Sequence, residues 1–424
     1  MRWPGFLNRI FERERRSVNG AGHVPAAPVL SGTYVTPQTA LSLAAVYSAI
    51  NIISRDLAVL PKAVYRKLPD GGREIDRSKR VHGLISVAPN DDMDAFRYFQ
   101  CKMGHTLGWG NGMSQIVRDR RSGEPVELLP LHPGKTKILR REKTGQLYYK
   151  LVDDRELAPE NVLHFAGLSF NGITGYSPIG VCRQTIGLAL AAEQTGAALF
   201  GNGMIKRGIL KLMRKLSPQA VSNLRASLNQ VHQGSQGSHQ FLILEEGMDW
   251  VDTQINPDDG QWLGTREFQV KDIARIYSIP PHKIGDYSES HLANVEEANS
   301  DYVTTTLFGW VVMMEAQMNL KLLTTADRLQ WEIGIDMEAF LRGNTTARMA
   351  KYQTLRNAGA INADEIRLGE GMNPLKKGSG GNLYLVQGQY VPLDQVGVKP
   401  DPPPAPVPVP VSVKEPEPSV DKQS

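Results

Sequence analysis

The stretch NVLHFAGLSFNGITGYSPIGVCRQTIGLALAAEQTGAALFGNG, residues 161–203, is the most informative part of this chain. Its first five residues contain a short apolar run, which predicts a strand. After a loop, Pro178 stands where an early helical residue is expected, because the first turn of a helix does not need its N–H. The helix predicted from Ile179 to Gly201 is rich in glycine and alanine, so a neighbouring helix can approach it closely. That neighbour is either a helix of a second subunit or a core helix of the same chain.

Upstream of this stretch, helical and β patterns follow one another. A helix is predicted from Ala40 to Leu60, because apolar residues recur there every three to four positions and Pro61 ends the run. A strand over 63–65, a turn at 69–72 and a helix from Met93 to Thr106 come next. Further strands are predicted at 126–131, 136–139, 146–152 and 161–165.

Downstream, the pattern is predominantly helical after one compact β-α-β unit over 205–254. That unit is predicted to contain strands at 205–213, 241–244 and 250–252 and a helix from Ser217 to His232. Later helices are predicted at 261–278, 295–323, 345–357 and 363–368. Pro280 and Pro281 break the first of these, and a polar stretch runs from there to about Asn294.

Composition limits the classes of function. The chain has 424 residues, of which 41% are hydrophobic, enough for a buried core and more than one structural unit. Its formal net charge is only +4, whereas tight binders of DNA phosphates concentrate positive charge on one surface. Any contact with DNA is therefore expected to be loose. The two cysteines, Cys101 and Cys182, form no CxxC pair, and free thiols suit a reducing cytoplasm.

Both ends of the chain are expected to be disordered. Residues 1–37 form a basic arm, for which an amphipathic membrane helix is the alternative, and residues 396–424 form a proline-rich tail that cannot bury apolar area. The sequence has no run of 18 apolar residues, so no membrane span is predicted.

A search for catalytic or ligand-binding motifs finds no strong candidate. Walker A, HExxH and EF-hand patterns are absent, and the histidines form no i, i+4 pair, so neither a cofactor nor a metal site is predicted. Gly175–Gly180 resembles a GxSxG nucleophile elbow around Ser177, but its spacing is one residue too long. Pro178 also removes an N–H that an oxyanion hole would need. We expect a helix start rather than an enzyme, with a serine hydrolase using Ser177 as the remaining alternative.

Several short motifs follow one another in a characteristic order, namely Leu60–Arg66, Pro89-Asn90, Gly110-Asn111-Gly112, Val126–Pro133, Asn161–Phe165 with Gly175–Ile179, Phe200–Gly203 and Ile273–Pro281. This order resembles the portal family of long-tailed, lambdoid-type bacteriophages, over roughly residues 38–395. The chain departs from the family at Gly309-Trp310, where many relatives carry a proline.

The resemblance implies an α+β portal fold that assembles as a ring with a central channel. It implies a wing at 38–178 and 297–344, stem helices at 179–203 and 259–278, a clip at 204–258, a tunnel loop at 279–296 and a crown at 345–395.

The implied function is passage of double-stranded DNA during packaging and ejection, and the ring is expected to nucleate procapsid assembly at a virion vertex. Expected partners are other copies of the chain, for which the family implies a ring of twelve, a large terminase, a head-tail adaptor protein and the major capsid protein. The chain would be in the host cytoplasm during assembly. The second hypothesis is another ring-forming phage adaptor protein.

Two groups of residues are candidates for contact with these partners. One is the tunnel loop, where Lys283 and His282 are hypothesised to make light contact with DNA phosphates. Tyr287 and Ser288 are hypothesised to form a polar lip. The alternative is that these residues only cap an ordinary loop. The tunnel-loop residues are His282, Lys283, Asp286, Tyr287, Ser288, Glu289 and His291. The other is a basic clip face that either docks acidic partners or is simply solvated. Its residues are Lys206, Arg207, Lys211, Arg214 and Lys215.

Overall fold

The fold is described from a computed structural model of the chain. The structure describes residues 29–201, 208–211, 218–219, 221–222, 249–252, 259–287, 299–337, 345–376 and 378–385. The chain divides into two compact units, Met1–Arg342 and Gly343–Ser424.

Short strands lie between several of the helices of the first unit in its described residues. The helices are α1 (Pro37–Ala40), α2 (Ala44–Val59), α3 (Arg80–Ser86), α4 (Ala95–Trp109), α5 (Pro178–Val181), α6 (Arg183–Gly201), α7 (Asp259–Ile276), α8 (Phe308–Leu322) and α9 (Asp327–Gln330). The short helix α3 was not predicted.

Every strand pair in the described residues is antiparallel. The strands are β1 (Lys62–Lys67), β2 (Arg73–Ile75), β3 (Asn111–Arg118), β4 (Pro125–Leu131), β5 (Lys137–Arg140), β6 (Leu147–Lys150), β7 (Glu156–Leu157), β8 (Val162–Ala166), β9 (Gly208–Lys211), β10 (Asp249–Asp252) and β11 (Trp331–Ile335). The sheet orders are β11-β1-β2, β4-β3-β8, β5-β6-β7 and β10-β9. Antiparallel sheets beside helices confirm the predicted α+β class.

The core of the first unit forms where α2 and α4 pack against each other and α4 covers the β4-β3-β8 sheet. The apolar positions that predicted α2 are all buried, namely Leu43, Val46, Ile50, Ile53, Leu57 and Leu60. Each such side chain stabilises the fold by about 1.5–3 kcal/mol through removal of apolar surface from water. On the opposite edges, α8 packs on β8 and β11, and α7 packs on α2 and α6.

Residues 29–37, which precede α2, pack against the core, so the expected disorder of residues 1–37 is wrong over 29–37. Val29 and Val35 are buried, and the Thr33 hydroxyl donates a hydrogen bond to the Gly187 carbonyl oxygen at 3.1 Å. The predicted helix also starts later, at Ala44, after the separate capped turn α1. Residues 1–28 and the tail 396–424 lie outside the described residues.

Two predicted helices contain interruptions. Cys182 separates α5 from α6, with φ −95° and ψ 24°. In the second case, residues 299–301 are helical, Tyr302–Leu307 form a π-helical turn, and α8 continues through Gly309-Trp310. The helix path is therefore unbroken at the position where the sequence departs from the portal family.

Other boundaries shift by a few residues, most clearly at α7. The helix α7 ends at Ile276, before Ser278, whose φ of 50° is left-handed. Only residues 208–211, 218–219, 221–222 and 249–252 of the predicted β-α-β unit are described, and β9 pairs with β10 there. The predicted strand 241–244 lies outside the described residues.

The second unit contains two helices in its described part, α10 (Thr345–Asn357) and α11 (Ala363–Gly369). A capping box at Asn362 and Glu365 begins α11. The Arg348 guanidinium pairs with the Glu370 carboxylate at 2.6 Å and connects the two helices.

Candidate functional site

Three of the segments that carry the family resemblance meet at one buried point. The Asn111 side chain donates from Nδ2 to the Gly175 carbonyl oxygen at 2.9 Å, and its Oδ1 accepts from the Gly175 N–H at 2.8 Å. Nε2 of His164 lies 3.0 Å from the same Oδ1, and Nδ1 of His164 lies 3.1 Å from the Tyr149 hydroxyl. We call these four residues the Asn111 network.

The Asn111 network fixes the protonation of its histidine. Because Oδ1 of Asn111 only accepts, His164 donates from Nε2 and accepts the Tyr149 hydroxyl proton at Nδ1. Burial, reinforced by the charge of Lys102, lowers the pKa of His164 to about 3. The imidazole is therefore neutral at pH 7, and both of its nitrogens are engaged in hydrogen bonds inside the core.

Glycines let the backbones meet beside this network. A Cβ on Gly175 would overlap the Gly110 carbonyl oxygen, and a Cβ on Gly110 would overlap the backbone of Tyr176. Gly110 also has a φ of 81°, which L side chains rarely adopt. The Gly-Asn-Gly motif and the loop before α5 therefore form one packing unit.

Ser177 caps the helix start that the sequence predicted. Its hydroxyl donates to the Gly108 carbonyl oxygen at 2.7 Å and accepts from the Gly180 N–H at 3.1 Å. The side chain is buried, so the hydroxyl is neither accessible nor paired with a base. A nucleophile needs both, and the hydrolase alternative fails on this geometry.

Two buried lysines went unnoticed in the sequence. The Lys62 ammonium donates to the carbonyl oxygens of Leu57, Ala58 and Leu60 at 3.0, 3.0 and 2.6 Å, and so caps the end of α2. Its burial lowers its pKa to about 7. The signal available in the sequence was a lysine directly after a helix-ending Leu-Pro pair, since cations favour helix C-termini.

The second buried lysine, Lys102, lies under the β4-β3-β8 sheet. Its ammonium donates to the Leu163 carbonyl oxygen at 2.8 Å and lies 4.1 Å from the Phe165 ring centroid. Burial holds the pKa of this amine well below its usual range. The pattern of hydrophobic residues along α4 does not reveal that Lys102 is buried, because a lysine is not expected at a core position.

The first part of the predicted tunnel loop is anchored to the core. Residues Pro281–Ile284 form a short 3₁₀ turn. The Lys283 ammonium donates to Oδ1 of Asn299 at 2.7 Å and lies 5.0 Å from the Tyr302 ring centroid. The Tyr302 hydroxyl in turn donates to Oδ2 of Asp56 at 3.0 Å. This chain of contacts joins the loop to α2 and to the π-helical turn.

The remaining loop candidates divide between described and undescribed positions. His282 and Asp286 are half-buried and Tyr287 is exposed. Burial, reinforced by Lys283, lowers the pKa of His282. Ser288, Glu289 and His291 lie outside the described residues.

Of the clip candidates, only Lys211 lies in the described part of the chain. It is the last residue of β9 and pairs with Asp249 in the register of β10. Lys206, Arg207, Arg214 and Lys215 lie outside that part.

The described residues contain no group of three or more His, Cys, Asp or Glu side chains able to hold a metal ion. Among the same residues, no helix is both long and apolar enough to cross a membrane.

Comparison with known proteins gives a consistent family. A family model described as phage portal protein matches residues 44–371. The chain is 30% identical over 416 residues to the probable portal protein of Streptomyces phage phiC31, covering 94% of this chain and 87% of the relative. It is 25% identical over 385 residues to the portal protein of Enterobacteria phage HK97, covering 90% of each.

Solved structures show the same fold at lower identity. An HK97 family phage portal protein from Corynebacterium diphtheriae aligns with a TM-score of 0.55 and 18% identity, covering 73% of this chain and 98% of that one. A chain from the virion of a native gene transfer agent particle aligns with a TM-score of 0.53 and 20% identity, covering 87% and 99%.

Proposed function

Because the chain belongs to the phage portal protein family, we propose that it forms the ring at a unique capsid vertex through which double-stranded DNA enters and leaves the head. The observation that carries this proposal is the family match across residues 44–371, together with relatives aligned over most of both lengths. Portal proteins are structural, and the chain is not an enzyme.

Its charge suits a channel that holds DNA without gripping it. Each phosphate fixed by Lys or Arg adds affinity through counterion release, and hence adds friction to movement. A net charge of +4 on 424 residues keeps this term small. Cyclic symmetry multiplies whatever charge remains, since one lysine on each subunit becomes a ring of positive charge.

The segment roles follow from the family architecture as proposals. Residues 179–203 and 259–278 would be the stem, 204–258 the clip, 279–296 the tunnel loop and 345–395 the crown, with the wing at 38–178 and 297–344. In support, α6 and α7 are the helices on either side of 204–258 and pack on each other. The second compact unit, from Gly343, contains the proposed crown.

We keep Lys283 as the proposed source of positive charge at the channel, with His282 beside it and Tyr287 among the polar residues of the lip. One N–H of the Lys283 ammonium is donated to Asn299, which leaves donor capacity for a phosphate on a group with three donors.

A packaging assay with three variants separates charge from positioning. We expect Lys283→Glu to reduce DNA retention severalfold, Lys283→Gln to have a smaller effect, and Asn299→Ala to stay close to wild type. Undiminished retention in Lys283→Glu would remove the charged ring. An equal loss in Asn299→Ala would assign Lys283 to loop positioning instead.

The clip is the proposed docking face for the large terminase and later for the head-tail adaptor, through Lys206, Arg207, Lys211, Arg214 and Lys215. Replacing Arg214 and Lys215 with Glu should abolish terminase binding at low salt, where exposed charges are least screened. Unchanged terminase binding would show that these residues are a solvated basic surface with no role in docking.

The remaining partners are proposals of the same kind. We expect about twelve copies in a ring, a separate ATP-hydrolysing terminase, and contact with the major capsid protein during procapsid assembly in the host cytoplasm.

Location in the particle tests the proposed function. With an affinity tag appended to Ser424, gold labelling of opened particles should mark one vertex per head, where the tail attaches. Label at many vertices, or its absence from particles, would contradict the proposal. Label confined to detached tails would favour the other ring-forming adaptor.

A further inference from the structure

Helix α8 is apolar on its outer side as well as on the side that enters the core. Its inner residues Val311, Met314, Met318 and Leu322 are buried. On the outside, Phe308, Val312 and Leu320 are 54%, 47% and 49% exposed. Ala316 is also exposed and continues the same four-residue spacing. This spacing places the four residues on one stripe, about 18 Å long for twelve residues of helix. We call it the α8 stripe.

The charged residues of α8 bind within their own subunit and do not interrupt the stripe. The Glu315 carboxylate accepts from the Ile335 N–H at 2.7 Å, and the Lys321 ammonium donates to the Pro159 carbonyl oxygen at 2.7 Å. Asn319 bonds to Ile333 through both its amide nitrogen and its oxygen. A helix that is apolar all round is normally buried, and contiguous exposed apolar surface marks a contact site.

A second apolar face lies on α6 and the segment that packs beside it. Leu30 is 96% exposed, and its N–H donates to Oε1 of Gln184 on α6 at 3.1 Å. Leu188, one turn further along the same side as Gln184, is 58% exposed. Val181, at the end of α5, is also exposed. The residues at this spacing along α6, namely Gln184, Leu188, Ala191 and Thr195, carry no charge. We call this the α6 face.

We propose that the α8 stripe of one subunit packs against the α6 face of the next copy of this chain around the ring. The inference rests on the proposed ring function. A closed ring uses heterologous contacts, in which two different patches of the same chain meet. This chain carries two such patches, on different elements. Neither offers a charge that would select an acidic or a basic partner instead.

The size of the α8 stripe limits how much of the subunit interface it can form. A stable interface removes about 800 Å² from each partner. The α8 stripe is about 18 Å long on a helix about 10 Å wide. It is therefore the apolar centre of a larger interface, which is where truncation or charge insertion has its greatest effect.

Single charge insertions test the contact in the full chain. In Val312→Asp and in Leu188→Asp, we expect at least a tenfold fall in the fraction that migrates as rings, measured by chromatography with light scattering. Val152→Asp is the matched control, because Val152 is 71% exposed and lies outside both patches. Far-ultraviolet circular dichroism spectra should be alike for all variants, since each site is already solvent-accessible within a subunit and a charge there leaves the subunit fold intact. Rings at wild-type yield in both patch variants would overturn the inference.

Disulfide trapping identifies the partner patch, in a Cys101→Ser, Cys182→Ser background. Val312→Cys combined with Leu188→Cys should give a ladder of cross-linked oligomers on oxidation, and neither substitution alone should do so. Dimers from Val312→Cys alone would show a two-fold contact and overturn the inference, as would no ladder from the combined variant. A wild-type chain that never forms rings contradicts the proposed function as well, whereas intact rings in the patch variants contradict only the paired faces.

Discussion

The Asn111 side chain connects parts of the chain that are distant in sequence, and its hydrogen bonds explain why residues of separate family motifs lie together. It bonds to the backbone of Gly175 in both directions and accepts from His164. Because all three groups are buried, each would lose a partner that water cannot replace. The motifs are thus held together by hydrogen-bond satisfaction and not by chemistry on a substrate.

Removing this side chain should destabilise the fold strongly. We expect Asn111→Ala to lower the free energy of unfolding by about 3 kcal/mol, because buried donors and acceptors are left unpaired. Asn357→Ala, at the exposed end of α10, should change it by less than about 0.5 kcal/mol. Urea unfolding followed by circular dichroism measures both. Equal effects of the two substitutions would show that the network contributes nothing specific.

His164 should make the fold sensitive to acid. Its pKa is about 3 in the folded chain, against an ordinary value of 6.5, so the unfolded chain binds the extra proton first. Stability therefore falls as the pH drops from 6.5 towards 3, by about 2–3 kcal/mol between pH 7 and pH 4.5 from this residue. In His164→Gln, which keeps a donor towards Asn111, that part of the acid dependence should vanish. Parallel pH profiles of unfolding for the two proteins would contradict this assignment.

At the residue level, the sequence predicted some roles and could not predict others. The helix start after Ser177 could be predicted because proline favours the first turn of a helix, and that reasoning is local. Lys102 was missed because its acceptor, the Leu163 carbonyl oxygen, is 61 residues away in sequence. Lys62 instead bonds to carbonyl oxygens two to five residues before it, so its role as a helix C-cap could have been predicted. A buried lysine looks like a surface lysine in a linear pattern.

Among the elements, α2 could be predicted and the π-helical turn could not. The periodicity of α2 is a property of its own residues, and all its predicted core positions are buried. The turn at Tyr302–Leu307 depends on tertiary contacts instead, since the Thr306 hydroxyl donates to the Ser278 carbonyl oxygen at 2.5 Å. Such turns frequently occur at functional positions, and this one adjoins the proposed tunnel loop.

The contact between that turn and α2 gives a prediction at this scale. The Tyr302 hydroxyl donates to the Asp56 carboxylate. Burial of the ring and, to a lesser extent, the negative charge of Asp56 raise the pKa of Tyr302, so the hydroxyl keeps its proton and remains a donor. Tyr302→Phe should lower the free energy of unfolding by about 1.5–3 kcal/mol, as expected for a hydrogen bond to a charged group. Tyr47→Phe, on the exposed side of α2, is the control and should be nearly neutral. Thermal unfolding of both variants decides, and a neutral Tyr302→Phe would show that the contact does not anchor the turn.

At the scale of the whole molecule, the sequence predicted the α+β class and the family. Each motif alone is weak evidence, but several motifs in the family's order are strong evidence. The sequence could not predict which hydrophobic residues are exposed on the surface of the folded subunit. The inward and outward residues of α8 are both hydrophobic in the sequence, and only the packing of Val311 and Met314 against the core distinguishes them from Val312. A chain with a small net charge and uncovered apolar faces is what a ring subunit around DNA requires.

Negative-stain electron microscopy of the purified full chain tests that claim most directly. We predict class averages of rings, close to twelve-fold, with a central hole wide enough for duplex DNA. Particles that remain single subunits across protein concentrations and salt conditions, or closed oligomers without a hole, would contradict it.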